Sequence, residues 1–417
     1  MPKTWTQTFL ALIVVGIGLL FMLVAGMHVY MTSTATPLHP NAQDVPSVTH
    51  WAPLREWTSA VEQGRQIVRT NLTGQNLPGL SVAVGIGGDV VWAEGFGFAD
   101  LENREPVSPG TRFRIGTLST VLTSAAAGLL IEKKWLTLDD EIQMHVPGFP
   151  KKEWPVTVRE LMSHTAGVST DGGDEGPLYS QRCGRPVDAL PFFADRSLLF
   201  EPGTQYRYSS YGWILVSAAV EAVADEPFLT FMREQIFTPL QMDDTIADSA
   251  TDPIPDRATS YFPRYSADPK YGLHGMRPID LSCYSGSSVF LSTPADLVRF
   301  GLSMGRLRQG SGAQAGKLLQ PATVQMLQAP QRLTSGEETG YGLGWDLETV
   351  RLAGEQTPVT GHDGEVLGGM VASLLTFPDR GIVVAVTSNI SYADTFAIGL
   401  KISEAFAAAR PGGSAGR

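Results

Sequence analysis

An uninterrupted apolar run near the N-terminus is the feature that most constrains the topology of this chain. Residues 9–27, FLALIVVGIGLLFMLVAGM, contain no charged side chain. As a helix rising about 1.5 Å per residue, this run nearly spans a hydrocarbon core about 30 Å thick. The core of a cleaved signal peptide is usually shorter, roughly 7–15 residues, and no clear small-residue cleavage site follows. The sequence therefore favours a transmembrane anchor over residues 1–31, with a long signal peptide as the alternative.

The charges beside this run predict its orientation. Lys3 is the only charged residue before it, so we expect the N-terminus to stay in the cytoplasm. No later segment is apolar enough to cross again, which puts the rest of the chain outside the cytoplasm, in a periplasmic or extracellular location at the cell membrane. Residues 32–54 are rich in Pro, Thr and Ser and predict an extended linker, and 410–417 predict a disordered tail.

Composition excludes several partners and cofactors. The chain has 417 residues, and its net charge of -11 disfavours nucleic acid and anionic lipid as partners. No Gly-rich phosphate loop or His-Glu-x-x-His motif is present, so we expect no cofactor and no metal. Cys183 and Cys283 could pair in an oxidising compartment. Sequence alone gives no evidence that their Cα atoms come close enough, and it slightly favours two separate thiols.

Strand-like segments lie at both ends of the remaining chain. A hairpin is predicted at 80–86 and 90–96 around a Gly-Gly-Asp turn, and further strands at 366–377 and 382–387. Helical patterns cover 55–71, 118–134 and 393–409. The economical arrangement is an α/β domain over 55–409, whose sheet comes from 55–115 and 335–409 and whose helical lobe is 116–334. The cleft between the two parts is the predicted ligand site.

Eight segments, in order, resemble the serine β-lactamase and penicillin-binding family, especially its class C and esterase-like branch and the mitochondrial β-lactamase-like proteins. Chance does not explain eight such segments in one order. They are Leu-Pro-Gly-Leu-Ser-Val-Ala-Val at 77–84, Phe-Arg-Ile-Gly at 113–116, Leu-Thr-Leu-Asp-Asp at 136–140, Val-Thr-Val-Arg-Glu-Leu-Met-Ser-His-Thr-Ala-Gly at 156–167, Pro-Gly-Thr at 202–204 with Tyr-Arg-Tyr-Ser-Ser at 206–210, Ser-Thr-Pro-Ala-Asp-Leu at 292–297, Tyr-Gly-Leu-Gly-Trp at 341–345 and Gly-His-Asp-Gly at 361–364. The resemblance implies an α/β sandwich with an antiparallel sheet and an all-helical lobe.

The resemblance also implies an acyl-enzyme mechanism, which this chain alters. In the family a Ser after Phe-Arg-Ile-Gly attacks a carbonyl, and a Lys three positions later removes its proton. Here those positions hold Thr117 and Thr120. No Lys in the chain has a Ser three positions before it. The sequence therefore predicts that hydrolysis is impaired. A hydroxyl nucleophile needs a base, and the remaining candidate base of the family is a tyrosine, whose unperturbed pKa is about 10.

The two other family motifs are partly kept. Tyr-x-Asn is Tyr208-Ser209-Ser210, so Tyr208 is a candidate catalytic residue and Ser210 a candidate ligand contact. Lys/His-Thr-Gly is His362-Asp363-Gly364, which makes His362 a further catalytic candidate and Asp363 and Gly364 ligand-contact candidates. A carboxylate at 363 would repel the carboxylate of a substrate.

Each of these residues also has a structural interpretation. Thr117 is a vestigial nucleophile or a helix N-cap, and we favour the cap. We expect Thr120 to be a structural residue of the first helical turn and His164 to be structural. Asp363 fits an exposed turn better than a catalytic role.

Three functions remain open. The leading hypothesis is a membrane-anchored, extracytoplasmic β-lactamase-like protein that binds acyl, amide or peptide ligands and hydrolyses them poorly. The second is an active esterase, amidase or peptidase that uses Thr117 with Tyr208 and His362. The third is a non-catalytic envelope scaffold or binding protein. Substrate and oligomeric state are not encoded in any motif found here.

Overall fold

The computed structural model of the protein describes residues 3–50, 52–169, 176–265, 267–305, 318–366 and 369–409. The predicted tail at 410–417 lies outside them. In the described part the α-helices are α1 (Lys3–Ser33), α2 (Thr58–Gln75), α3 (Ser119–Glu132), α4 (Val158–Met162), α5 (Ser210–Ala224), α6 (Phe228–Phe231), α7 (Pro294–Ser303), α8 (Pro321–Leu327) and α9 (Thr395–Ala408). The strands are β1 (Ser47–Thr49), β2 (Gly79–Ile86), β3 (Asp89–Asp100), β4 (Glu105–Pro106), β5 (Phe113–Arg114), β6 (Ile246–Ala247), β7 (Tyr261–Pro263), β8 (Leu273–Gly275), β9 (Phe290–Ser292), β10 (Asp346–Leu352), β11 (Glu355–Val366), β12 (Met370–Phe377) and β13 (Ile382–Ser388).

The main sheet is assembled from both ends of the chain, which confirms the predicted fold class. Its strand order is β1-β3-β2-β13-β12-β11-β10, with β4 beside β3, and neighbouring strands are antiparallel. Strands β2, β12 and β13 are buried along their whole length. Their nearly continuous runs of Val, Ala, Leu and Ile follow from this, because a strand covered on both faces has no solvent side to keep polar.

Separate hydrophobic cores cover the two faces of this sheet. One face packs against α2 and α9, where Trp92 stacks on Phe406 with ring centroids 6.0 Å apart. The other face packs against α7 and the helical lobe, where Phe300 stacks on Trp345 at 6.0 Å. Trp92, Trp345 and Phe113 are buried core residues. The lobe therefore sits on one face only, and the cleft lies where its helices meet β11.

A disulfide crosslinks the helical lobe. Cys183 and Cys283 are bonded, with their Cα atoms 4.8 Å apart and a sequence separation of 100. The expectation of two separate thiols is therefore wrong. Sequence separation carried no information here, because the packing of the lobe brings the two loops together. The backbone N–H of Cys183 donates a hydrogen bond to the hydroxyl oxygen of Ser282, the residue before Cys283, at 3.0 Å.

The N-terminal helix is the apolar segment that the sequence singles out. The most apolar 18-residue window within Phe9–Ser33 of α1 has a mean hydropathy of 2.8 and is not buried against the domain. The segment that follows is not a free tether throughout. Strand β1 pairs with β3, and His39 stacks on Phe98 with ring centroids 5.8 Å apart. Much of the predicted linker is therefore packed on the domain.

The late strands also differ from the sequence pattern. The predicted strand at 366–377 begins at Met370, and a separate strand, β11, ends at Val366. Strand β11 contains Gly, Pro and Asp, which are depleted in strands and hide its strand character. It is stabilised by pairing with β10 and β12 on its two sides rather than by intrinsic propensity. As a result Gly361-His362-Asp363-Gly364 lies within a strand, and Asp363 is not a turn residue.

Candidate active site

The turn before α3 and the end of β11 are in direct contact. Gly116 has φ +53°, and a Cβ there would lie 2.7 Å from the backbone of Glu365. A Cβ on Gly364 would lie 1.9 Å from the carbonyl oxygen of Ile115. Glycine at both positions is therefore required for this approach. It brings the backbone of the helix start beside that of the sheet strand. Backbone N–H groups held in this way can stabilise the oxyanion that forms when a carbonyl is attacked.

Thr117 lies in this turn, partly exposed. Its hydroxyl donates a hydrogen bond to the carbonyl oxygen of Asp363 at 3.3 Å. The residue at the N-cap of α3 is Leu118, and no side chain caps the helix. The prediction that Thr117 is the cap is therefore wrong. A carbonyl oxygen accepts a hydrogen bond but does not remove the proton, so this contact holds the hydroxyl without activating it.

Thr120 occupies the position at which the family has its lysine. It is completely buried in the first turn of α3, as predicted. Its hydroxyl faces the phenol of Tyr341, yet no well-formed hydrogen bond joins it to a described residue. Among the described residues, no Lys or Arg hydrogen-bonds to Thr117 or Thr120. A lysine amine that could accept the Thr117 proton is thus absent from the described contacts of both side chains.

Tyr341 and His362 form a buried hydrogen-bonded pair with a defined direction. Nδ1 of His362 lies against the carbonyl oxygen of Asp363, which can only accept, so we infer that Nδ1 carries the proton. Nε2 of His362 is then an acceptor, and the Tyr341 hydroxyl donates to it at 3.0 Å. Burial raises the pKa of Tyr341 well above its usual value, and Tyr208 and Asp346 add to the shift. Tyr341 therefore stays a phenol, and both nitrogens of His362 are engaged.

His164 connects this pair to Tyr208. Its ring lies 4.0 Å from the Tyr208 ring and 4.8 Å from the Tyr341 ring, centroid to centroid. Nδ1 of His164 accepts the backbone N–H of Ser209 at 3.1 Å, which fixes the start of α5. Burial holds the pKa of His164 well below its usual value, with His362 adding to the effect. His164 is a neutral positioning residue, in agreement with the structural role expected of it.

Tyr208, Ser210 and Gly364 are the remaining motif residues, and each has a different position relative to Tyr341, His362 and His164. The Tyr208 ring lies 6.3 Å from the His362 ring, so the structure brings these two candidates together. Ser210 is the first residue of α5, and its buried hydroxyl makes no hydrogen bond to a described residue. Gly364 serves the close contact with the α3 turn. Ligand binding by Ser210 and Gly364 remains a prediction.

The side chain of Asp363 points away from the cleft. Residues alternate between the faces of a strand, so Asp363 faces opposite to His362. Its carboxyl interacts with the hydroxyl of Ser373, which in turn contacts Thr395 of α9 at 2.7 Å. The predicted contact of this carboxylate with a ligand is therefore not supported. What Asp363 brings to the site is its backbone carbonyl.

Desolvation raises the pKa of the Asp363 carboxyl. Asp363 as a residue is exposed, but desolvation raises the pKa of its carboxyl to about 6, opposed by Ser373 and His362 and assisted by Asp346. A carboxyl whose pKa is raised in the folded state favours folding below its unfolded pKa of about 4 and loses this contribution as the pH rises to about 6.

The variant Asp363→Asn is accordingly expected to be more stable than the wild type at pH 7.5, by up to about 1 kcal/mol for such an exposed group. The difference should disappear near pH 4. Urea unfolding at both pH values measures it. Asp89→Asn, at the exposed β2–β3 turn, is the matched control and should not alter the pH profile. The expectation would be contradicted if the difference in unfolding free energy between Asp363→Asn and the wild type were the same at both pH values.

Tyr341 is the site residue to which sequence reasoning assigned no role. It opens the Tyr-Gly-Leu-Gly-Trp motif at 341–345, which was used to recognise the family and not to predict chemistry. Tyr206, in the Tyr-Arg-Tyr-Ser-Ser segment, lies 5.9 Å from it, ring to ring. The signal that could have found both was the concentration of Tyr and His in the motifs themselves.

The sheet, the helical lobe and the cluster of His164, Tyr208, Tyr341 and His362 at their junction define a β-lactamase-like α/β protein. Comparison with known proteins agrees, since a family model described as beta-lactamase matches residues 64–409. The chain belongs to this beta-lactamase family, whose members include serine hydrolases and penicillin-binding proteins.

Individual relatives cover most of the chain at low identity. The mouse (Mus musculus) serine beta-lactamase-like protein LACTB, mitochondrial, is 26% identical over 84% of this chain and 81% of its own length. Penicillin-binding protein 4* of Bacillus subtilis is 25% identical over 67% of this chain and 61% of its own length. The D-amino acid amidase from Ochrobactrum anthropi SV3 superposes with a TM-score of 0.68 at 21% identity, over 85% of this chain and 100% of the amidase chain. This last similarity demonstrates the fold.

Proposed function

We propose that this protein is a membrane-anchored, extracytoplasmic member of the family that binds an acyl, amide or peptide ligand and is impaired in hydrolysis. The observation that carries the proposal is what the hydroxyl groups at positions 117 and 120 contact. Thr117 donates a hydrogen bond to a backbone carbonyl, and Thr120 places an uncharged hydroxyl beside Tyr341. The nucleophile and base of the family are thus both replaced by groups that do not form an activated pair.

The energetic cost of the remaining bases supports impairment. Converting an unperturbed tyrosine to its anion at pH 7 costs about 4 kcal/mol. For Tyr341 the cost is higher, because burial raises its pKa. His362 already accepts a hydrogen bond from Tyr341 at Nε2 and presents its other nitrogen to a carbonyl oxygen. In well-studied hydrolases, losing one member of a catalytic unit costs roughly 10⁴- to 10⁶-fold in rate.

A ligand-binding role is supported by the groups that remain open to solvent. Thr117 is partly exposed and Tyr206 is 39% exposed, while the layer beneath them is buried. Relatives bear names such as penicillin-binding protein and D-amino acid amidase. A carbonyl compound of the acyl, amide or peptide class is therefore the ligand we propose for this chain.

The anchor and the compartment rest on two further observations. The stretch Phe9–Ser33 is long and apolar enough to cross a bilayer, and its most apolar part is not buried against the domain. The Cys183–Cys283 disulfide is typical of an oxidising compartment outside the cytoplasm. Both agree with an N-terminus in the cytoplasm and a domain beyond the membrane.

Intact-protein mass spectrometry tests the proposed impairment. The full chain is incubated with a fluorescent penicillin and, separately, with a fluorophosphonate. We expect no adduct on the wild type above the level of Thr117→Ala, which lacks the hydroxyl. Binding is followed in parallel through the thermal stabilisation that the penicillin produces. An adduct that forms readily on the wild type and is absent from Thr117→Ala would overturn the proposal.

An active hydrolase is the second candidate, favoured by the exposure of Thr117 beside the backbone of the α3 turn and β11. Turnover of p-nitrophenyl esters discriminates it. Activity that is unchanged in Thr117→Ala would exclude this nucleophile.

A further inference from the structure

The end of α1 contacts a hairpin of the folded domain. This juxtamembrane hairpin comprises β7, β8 and the described residues between them, 264–265 and 267–272. The ring of Tyr265 lies 6.3 Å from that of Tyr30, and the ring of Tyr271 lies 6.3 Å from that of His28. The guanidinium of Arg264 donates to the carbonyl oxygen of Thr34 at 3.2 Å. The hairpin therefore lies at the same height as the last turn and a half of α1.

The length of α1 determines what surrounds that height. Residues 9–27 rise about 28 Å as a helix, close to the thickness of a hydrocarbon core of about 30 Å. His28 and Tyr30 then fall in the headgroup layer, which adds roughly 6 Å on each side. The hairpin residues that contact them must lie in or on the same layer. This step rests on the membrane-spanning α1 of the proposed function.

The side chains of the hairpin suit that layer. The guanidinium carbon of Arg264 lies 5.0 Å from the centre of the Tyr265 ring, and Nζ of Lys270 lies 4.7 Å from the centre of the Tyr271 ring. Tyr has an apolar ring with a polar tip, and Lys and Arg extend their charges toward phosphates, so these residues are enriched at membrane interfaces. Asp268 forms an ion pair with Lys270 and limits the local excess of positive charge.

The hairpin and the linker both attach to the end of the sheet that carries the site. The strand registers align Glu365, Val371, Ser388, Leu80, Phe96 and Ser47 in one transverse row. Glu365 follows Gly364 of the site, and Ser47 belongs to the linker strand β1. The N–H of Tyr261 in β7 donates to the carbonyl oxygen of Asn389, the residue after Ser388, at 2.9 Å. The linker is held at the same end, where Asn76 accepts the Leu38 N–H at 2.8 Å.

We propose that the juxtamembrane hairpin is a membrane-contact surface whose partner is the phospholipid headgroup layer. Together with the docked linker it turns the end of the sheet that bears Gly364 toward the bilayer. The domain is thereby held against the membrane in one orientation and does not swing on a free tether.

Depth-dependent fluorescence quenching tests this proposal on the full chain in phosphatidylcholine vesicles. The native cysteines are bonded to each other, so a single introduced cysteine carries the fluorophore. The sites are Val24→Cys in α1, Ala267→Cys on the hairpin and Met144→Cys on the helical lobe, each at an exposed position. Nitroxides are placed either on the acyl chains or on the headgroups.

We expect acyl-chain nitroxides to quench the label at 24, and headgroup nitroxides to quench the label at 267 severalfold more than the label at 144. If the label at 24 is quenched and those at 267 and 144 respond equally, the hairpin proposal is overturned while the anchor stands. If the label at 24 is not quenched by acyl-chain nitroxides, the anchor fails and the hairpin proposal fails with it.

Discussion

Restoring serine at 117 and lysine at 120 together is expected to raise the rate of covalent labelling by penicillin at least about 10³-fold, since the members of a catalytic unit act jointly. Residues 117 and 120 lie on one face of the helix start, because positions three apart are neighbours. A lysine at 120 would extend into a buried environment beside Tyr341, and partial desolvation would lower its pKa and improve it as a base. Intact mass measured against time gives the rate.

The control variants separate the contributions of the serine hydroxyl and of the lysine amine to the labelling rate. Thr117→Ser alone and Thr120→Lys alone are expected to remain near the wild-type level, because neither supplies both nucleophile and base. Thr117→Ser combined with Thr120→Met places a side chain of similar length without an ammonium, and it should not label. A Thr117→Ser/Thr120→Lys protein that unfolds cooperatively but acylates no faster than the wild type would contradict the view that these two positions limit the chemistry.

Removing the disulfide is expected to lower the free energy of unfolding of the domain by about 4.7 kcal/mol, the value that chain entropy gives for a loop of this length. The bond joins Cys183 and Cys283 across 100 residues, and the loop it closes contains α5 and α6 of the helical lobe. Without it the unfolded chain gains the entropy of that loop. The double variant Cys183→Ser/Cys283→Ser, compared with the wild type by guanidinium unfolding, measures the loss.

A reductant provides the matched control for this comparison. It should lower the unfolding midpoint of the wild type toward that of the double variant and leave the double variant unchanged. Equal midpoints for oxidised and reduced wild type would mean that the lobe does not depend on the crosslink.

The local sequence pattern predicted the elements that surround the site. The hairpin of β2 and β3, the helix α3 and the terminal helix α9 all follow from hydrophobic periodicity and turn residues, and the structure has each within a few residues of the prediction. The loss of Ser and Lys at 117 and 120 is likewise visible in the sequence. These features depend on neighbouring residues, and neighbouring residues are what a sequence presents directly.

The site geometry depended on contacts that no local pattern contains. Strand β11 has little strand character of its own, so neither its register nor the outward direction of Asp363 could be inferred. The pairing of Tyr341 with His362 joins two motifs that the sequence treats separately. Contacts of this kind form only after the strands have paired and each side chain has been directed to one face of the sheet.

The sequence by itself determined the family, the apolar N-terminal segment, the assembly of the sheet from both ends of the chain and the absence of the usual nucleophile and base. Tertiary structure alone decided that Cys183 bonds to Cys283, that the linker docks on the sheet, and that the Thr117 hydroxyl meets a carbonyl oxygen. The physical reason is that motifs and periodicities are properties of short segments. A disulfide, a strand register or a hydrogen bond between distant residues exists only after packing has fixed both partners in space.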